Sequence, residues 1–171
     1  MDWNEDLAAL VMEAWNEGVS GNEQLFDENS LEDTVRGYFV EPLRNRFAND
    51  GFVVDSPYGH MNSEDVERVR KKILVGKIAR MAIPDLIIHR RNEDDLEHNL
   101  LALEIKKVSN PDWANDVEKL EEMTAAPRLP RRFQYQFGLL LRYTTSGQIA
   151  VAALFENGQP FELNTTTLMK N

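Results

Sequence analysis

The chain has 171 residues, 42% hydrophobic and 28% charged, with a formal net charge of −10 and no cysteine. That length and balance describe one globular domain, residues 1–171, able to bury its own core, and they exclude wholesale disorder. The missing cysteines exclude disulfides, thiolate metal sites and cysteine nucleophiles, and are compatible with a cytoplasmic, reducing compartment.

Asp2 to Glu17 reads as an amphipathic helix, with Trp3, Leu7, Leu10, Val11, Ala14 and Trp15 at helical spacing and Gly18 able to end it. Its acidic start lacks the basic flank and apolar stretch of a signal peptide, and no later run reaches the roughly 20 apolar residues of a membrane span. Its apolar face is expected to lie buried on the domain or to make a dimer contact. Residues 18–29 are polar and form a connector. Ser30 is a plausible N-cap for a second helix running to about Ala48, with Leu31, Val35, Tyr38, Phe39, Leu43 and Phe47 on its apolar side. Asn49-Asp50-Gly51 is a turn and Phe52 to Asp55 a short strand.

The charge is unevenly spread. Residues 1–67 carry a net −13, residues 68–91 a net +7 and residues 92–171 a net −4. The whole chain repels nucleic acid, while the segment Arg68 to Arg91 is either a solvated basic face, the favoured reading, or a phosphate-facing patch. Around Asp65 to Leu74 the spacing predicts a helix, and Leu86-Ile87-Ile88 a strand. Asn92 to Asn99 is a polar turn. Leu100 to Lys106 is a strand, Asp112 to Met123 a helix, and Tyr135 to Tyr143 and Ile149 to Phe155 are two further strands. This order predicts an α/β domain with one mixed sheet flanked by helices, and the strand–helix–strand step at 100–143 allows a right-handed parallel crossover.

The chemistry concentrates in Pro84-Asp85-Leu86-Ile87-Ile88-His89 and Leu100-Leu101-Ala102-Leu103-Glu104-Ile105-Lys106. Side chains alternate along a strand, so Glu104 and Lys106 share a face and Leu101, Leu103 and Ile105 take the other. A turn centred between Asp94 and Asp95 sets Asp85 opposite Glu104, their Cα atoms roughly 5 Å apart. Two carboxylates so placed repel, unless a divalent cation lies between them. Lys106, one step along, is placed to orient water or to stabilise charge on a phosphate. On the second helix Glu32 falls about 50° from the apolar centre and Glu41 about 130°, so Glu32 is favoured as a third carboxylate.

Pro84-Asp85 followed by Glu104-Ile105-Lys106 at the end of an apolar strand resembles the PD-(D/E)XK, or restriction-endonuclease-like, nuclease superfamily. The resemblance implies an αβββαβ core over residues 30–156, with residues 1–29 as an N-terminal extension and connector. It implies Mg²⁺- or Mn²⁺-dependent phosphodiester hydrolysis, most naturally of DNA. Asp85 and Glu104 would be metal ligands, Glu32 an accessory ligand, and Lys106 would act on the water or scissile phosphate. The plainer alternative is an acid that opens an edge strand and a Glu/Lys pair at a solvated strand end.

The remaining candidates are weaker. Lys107 faces away from Lys106 and reads as a solvated strand end. His89 reads as surface, and the three histidines, His60, His89 and His98, are too scattered for zinc. Gln134 and Gln136 read as a polar edge. Lys71, Lys72, Arg80, Arg131 and Arg132, with Arg128, either contact phosphates or merely solubilise loops. Three functions follow: a metal-dependent deoxyribonuclease that acts as a homodimer, on special structures or with a basic partner; a catalytically silent module of the same fold; and an acidic nucleic-acid mimic that binds a basic protein.

Overall fold

The computed structural model describes residues 3–19, 22–26, 32–56, 72–75, 78–81, 84–91, 96–126 and 134–162. Among these are three α-helices: α1 (Trp3–Val19), α2 (Glu32–Phe47) and α3 (Trp113–Thr124). The strands are β1 (Val53–Asp55), β2 (Lys72–Val75), β3 (Ile78–Met81), β4 (Leu86–His89), β5 (Asn99–Lys107), β6 (Phe137–Tyr143), β7 (Ile149–Glu156) and β8 (Gln159–Glu162). Six strands form one sheet in the order β1-β4-β5-β6-β7-β8, and β2 pairs with β3 in a separate hairpin. The sheet is mixed: β5 and β6 are parallel and every other neighbouring pair is antiparallel. The strand–helix–strand step through α3 is therefore the parallel crossover expected from the sequence.

Packing follows from the alternation on β5. Leu101, Leu103 and Ile105 join the core formed with Leu7, Val11 and Trp15 of α1 and Val35, Phe39 and Leu43 of α2. Ala102 faces the other way and packs with Leu120 and Met123 of α3. β5 is thus covered on both faces, which explains its nearly unbroken apolar run. α1 buries its stripe against α2 and the sheet. Gly18 permits the close approach, because a Cβ there would stand 2.6 Å from the Tyr38 carbonyl oxygen of α2. The Trp15 indole N–H donates to the Gly147 carbonyl at 2.9 Å and so fastens α1 to the β6–β7 turn. No helix among the described residues is long and apolar enough to cross a membrane.

Several expectations change. Lys72 to Leu74 belong to a strand and not to a helix; short β-branched stretches are ambiguous between the two until a partner strand is known. β3 and β8 are strands that the sequence did not announce. The predicted helical turns at 65–71 and the N-cap Ser30 lie outside the described residues.

Candidate active site

The antiparallel register pairs Leu86 with Leu103, Ile87 with Ala102 and Ile88 with Leu101. Asp85 lies one residue before Leu86 and so comes opposite Glu104, as the symmetric-turn argument expected. The symmetry does not extend to the turn itself, because a register shift falls between Ile88 and His89. That irregularity is at the far end of the hairpin and leaves the carboxylate pair in place.

Asp85 is held from two directions. Its Oδ2 accepts a hydrogen bond from the Ile105 amide at 2.8 Å, and its Oδ1 accepts one from Arg36 Nη1 of α2 at 3.0 Å. Glu104 is only 1% exposed, and its Oε1 accepts from Lys119 Nζ of α3 at 2.6 Å. Burial, then the charge of Asp85, push the Glu104 carboxyl well above the usual range, and Lys119 opposes them.

Glu32 reaches the same end of β5 from the first turn of α2. Its Oε1 accepts from the Lys107 amide at 3.1 Å and from Asn110 Nδ2 at 3.2 Å, and its Oε2 accepts from Lys106 Nζ at 3.3 Å. Glu41, by contrast, points to solvent with a 71% exposed side chain, 3.6 Å from Arg44. Lys106 Nζ lies between Glu32 and Asp116, the latter at 3.8 Å. Burial disfavours the Lys106 ammonium, but Asp116, Glu32 and Asp85 outweigh it and hold its pKa above the ordinary lysine value. Lys106 is therefore a standing cation at neutral pH and not a base in the metal-free protein.

Four residues of this cluster were not singled out in the sequence: Arg36, Asn110, Asp116 and Lys119. Asp116 is 5% exposed; its Oδ1 accepts from Lys119 Nζ at 3.1 Å, while its buried Oδ2 has no hydrogen-bond partner among the described residues. A sequence signal existed for two of them. Asp116 stands four and seven residues before Leu120 and Met123, on the apolar stripe of α3, and Arg36 stands three and seven before Phe39 and Leu43 on that of α2. A charge on an apolar stripe is a buried charge, and it needs a partner. Asn110 carries no such pattern. The hydroxyl of Tyr143, at the C-terminal end of β6, is also buried without a hydrogen-bond partner among the described residues. Burial and the charges of Glu32 and Asp85 raise its pKa.

The other candidates lie elsewhere. His89 is not plain surface: its Nε2 is 3.1 Å from Asp55 Oδ2, and its side chain is 13% exposed. Gln134 donates to the Thr124 carbonyl and Gln136 to the Glu97 carbonyl. Both precede β6, so they sit at the end of that strand remote from the cluster. Lys107 donates its backbone amide to Glu32. Of the basic segment, Arg90 lies over the Phe52 ring and donates to the Asp50 carbonyl, and Arg91 pairs with Asp55. Lys72 and Arg80 belong to β2 and β3, where Lys72 is paired with Met81 and Ile73 with Arg80. Lys71, Arg128, Arg131 and Arg132 lie outside the described residues.

At the end of β5, then, four carboxylates (Glu32, Asp85, Glu104, Asp116) meet three cations (Arg36, Lys106, Lys119). Among the described residues no group of three or more acidic, histidine or cysteine side chains is already arranged to hold a metal ion. The donors that are present are oxygens alone, the class that suits Mg²⁺ rather than zinc. Comparison with family models, curated proteins and solved structures finds no match.

Proposed function

We propose that this protein is a Mg²⁺-dependent nuclease that hydrolyses phosphodiester bonds in DNA. The observation that carries the reading is the convergence of Glu32, Asp85, Glu104 and Lys106, from one helix and two strands, on one end of β5. With the β2–β3 hairpin between β1 and β4 set aside, the order α2, β1, β4, β5, α3, β6 also supports the reading, since it is compatible with an αβββαβ core in which β1, β4 and β5 are antiparallel and β6 is parallel to β5.

The cross-strand pair Asp85 and Glu104 fits a hard divalent cation. Burial and then repulsion from Asp85 disfavour the Glu104 charge, both of which a shared cation relieves, and the ligands are all oxygens. Glu32 is the accessory carboxylate. Bound there, Mg²⁺ would supply Lewis acidity toward the phosphate and lower the pKa of the attacking water. The chain's own groups do the rest. Lys106 offers a fixed ammonium to the phosphate oxygens, where negative charge accumulates. Glu32 and Asp116 hold that ammonium in place. Arg36 and the Ile105 amide fix the Asp85 carboxylate so that it need not reorganise when substrate arrives.

The test is cleavage of linear, circular, single-stranded and branched DNA, and of RNA, with Mg²⁺, Mn²⁺ or EDTA. Wild type cuts DNA only with metal, and Asp85→Ala and Lys106→Ala each lower the rate by a factor of about 100 or more. Cutting that survives EDTA, or that survives in both variants, defeats the proposal. A second reading, a catalytically silent binding module, draws on a specific observation: Asp85 and Glu104 are already neutralised by Arg36 and Lys119. Absence of cleavage across the whole panel selects it.

A further inference from the structure

The arrangement on α3 leads beyond the four residues of the nuclease reading, on which the following rests. Lys119 places its ammonium 2.6 Å from Glu104 Oε1 and 3.1 Å from Asp116 Oδ1. Glu104 is the more deeply buried of the two proposed metal ligands, so the cation on it is the one that any incoming ion must replace. Asp116 stands on the other side of that ammonium, and its buried Oδ2, without a hydrogen bond among the described residues, lies 3.8 Å from Lys106 Nζ. A buried carboxylate held between two ammonium groups can retain one of them after another acid has released it. The Lys119 side chain remains 18% exposed on its flexible stem, so its head group has somewhere to go.

We propose that Lys119 is an exchangeable internal cation: it occupies the Glu104 carboxylate in the metal-free protein and transfers wholly to Asp116 when a divalent cation binds Asp85 and Glu104. The exchange keeps every buried charge compensated in both states. Without it, the buried Glu104 would face Asp85 with no cation of its own, since Arg36 answers Asp85 alone. With a lysine fixed there permanently, the metal could not enter. Asp116 is the positioning residue that makes the displacement possible, because it retains the ammonium after Glu104 has been given up. Its two oxygens, one toward Lys119 and one toward Lys106, keep both lysines near the site.

The experiment measures Mn²⁺ and Mg²⁺ binding by calorimetry and the melting temperature with and without metal, for wild type, Lys119→Gln and Lys119→Arg. Lys119→Gln removes the competitor, so it should bind metal about tenfold tighter or more, while its metal-free form melts lower because Glu104 has lost its partner. Metal should then raise its melting temperature by more than it raises that of wild type. Lys119→Arg, which keeps a cation but with a planar fork, should restore the metal-free melting temperature without the tighter binding. Unchanged or weaker metal affinity in a folded Lys119→Gln protein, with wild type binding normally, overturns the exchange and leaves the nuclease reading standing. If no protein in the set binds metal, both fall. Should Lys119→Gln fail to fold, Asp116→Asn decides the question: it should weaken wild-type metal binding by removing the acceptor for Lys119, and unchanged affinity overturns the proposal.

Discussion

Asp55 shows how one side chain couples charge to the edge of the sheet. It ends β1 and accepts from His89 Nε2 at 3.1 Å and from Arg91 Nη2 at 2.8 Å. The His89 hydrogen bond, then Arg91, hold its pKa below the ordinary 3.8 against the cost of burial. An acid whose pKa is depressed on folding contributes stability that is complete above its unfolded value and is lost as pH falls through its folded value. Asp55→Asn should therefore cost about 1–2 kcal/mol at neutral pH. The gap to wild type should narrow as pH is lowered below the ordinary carboxylate range, and urea melts at pH 7 and pH 3 read it directly. At this scale the site was partly legible. Asp85, Glu104 and Lys106 follow from alternation along two strands, and Glu32 from its angle on a helix. His89 was misjudged as surface because its partner is 34 residues away on another strand. Pairing between remote segments leaves no local trace in composition.

At the scale of elements, two glycines in neighbouring helices make opposite predictions. Gly18 lies where α1 crosses α2, and a Cβ would stand 2.6 Å from the backbone oxygen of Tyr38. Gly18→Ala must push the helices apart and should cost about 2 kcal/mol or more. Gly37 sits inside α2, and among the described residues nothing beyond its own helix backbone lies within 4 Å of the same hypothetical atom. Gly37→Ala should stabilise by about 0.5–1 kcal/mol, since alanine is the better helix former. Thermal melts of the two variants should move in opposite directions. Gly147 is constrained twice: its φ is +77°, and a Cβ would meet the Phe26 ring at 2.5 Å. Gly147→Ala should also loosen the Trp15 anchor on its carbonyl and lower the melting temperature. Helix positions were readable because apolar residues recur every three to four positions in α1, α2 and α3. β2, β3 and β8 were not, because such short strands are stabilised by their neighbours more than by their own pattern.

At the scale of the molecule, the net charge of −10 shapes how any nucleic acid is met. Non-specific affinity comes from neutralised phosphates, and much of the described basic surface is already engaged by the protein's own groups: Arg36 by Asp85, Arg90 by the Asp50 carbonyl, Arg91 by Asp55 and Lys119 by Glu104. The protein should therefore fail to retard linear duplex at about 1 µM in 150 mM salt without metal, and Mg²⁺ should strengthen binding by screening and by occupying the acidic pair. A gel-shift titration of salt with and without Mg²⁺ checks this. Tight metal-free binding with a steep salt slope would show a basic surface supplied by segments outside those described.

What the sequence determined by itself is what depends on short-range periodicity. The α/β class follows from helical and strand repeats, the parallel crossover from their order, and the Asp85–Glu104 pairing from a hairpin that is nearly symmetric about its turn. What only the tertiary structure decided is the set of charges that answer those residues. Arg36, Asp116 and Lys119 reach the end of β5 because α2 and α3 pack on opposite faces of the sheet, and helix angle and packing distance are set by the whole core. The sequence could place carboxylates on a strand. Whether each met water, a metal or a lysine depended on contacts across tens of residues, where burial makes an unpaired charge too costly to leave alone.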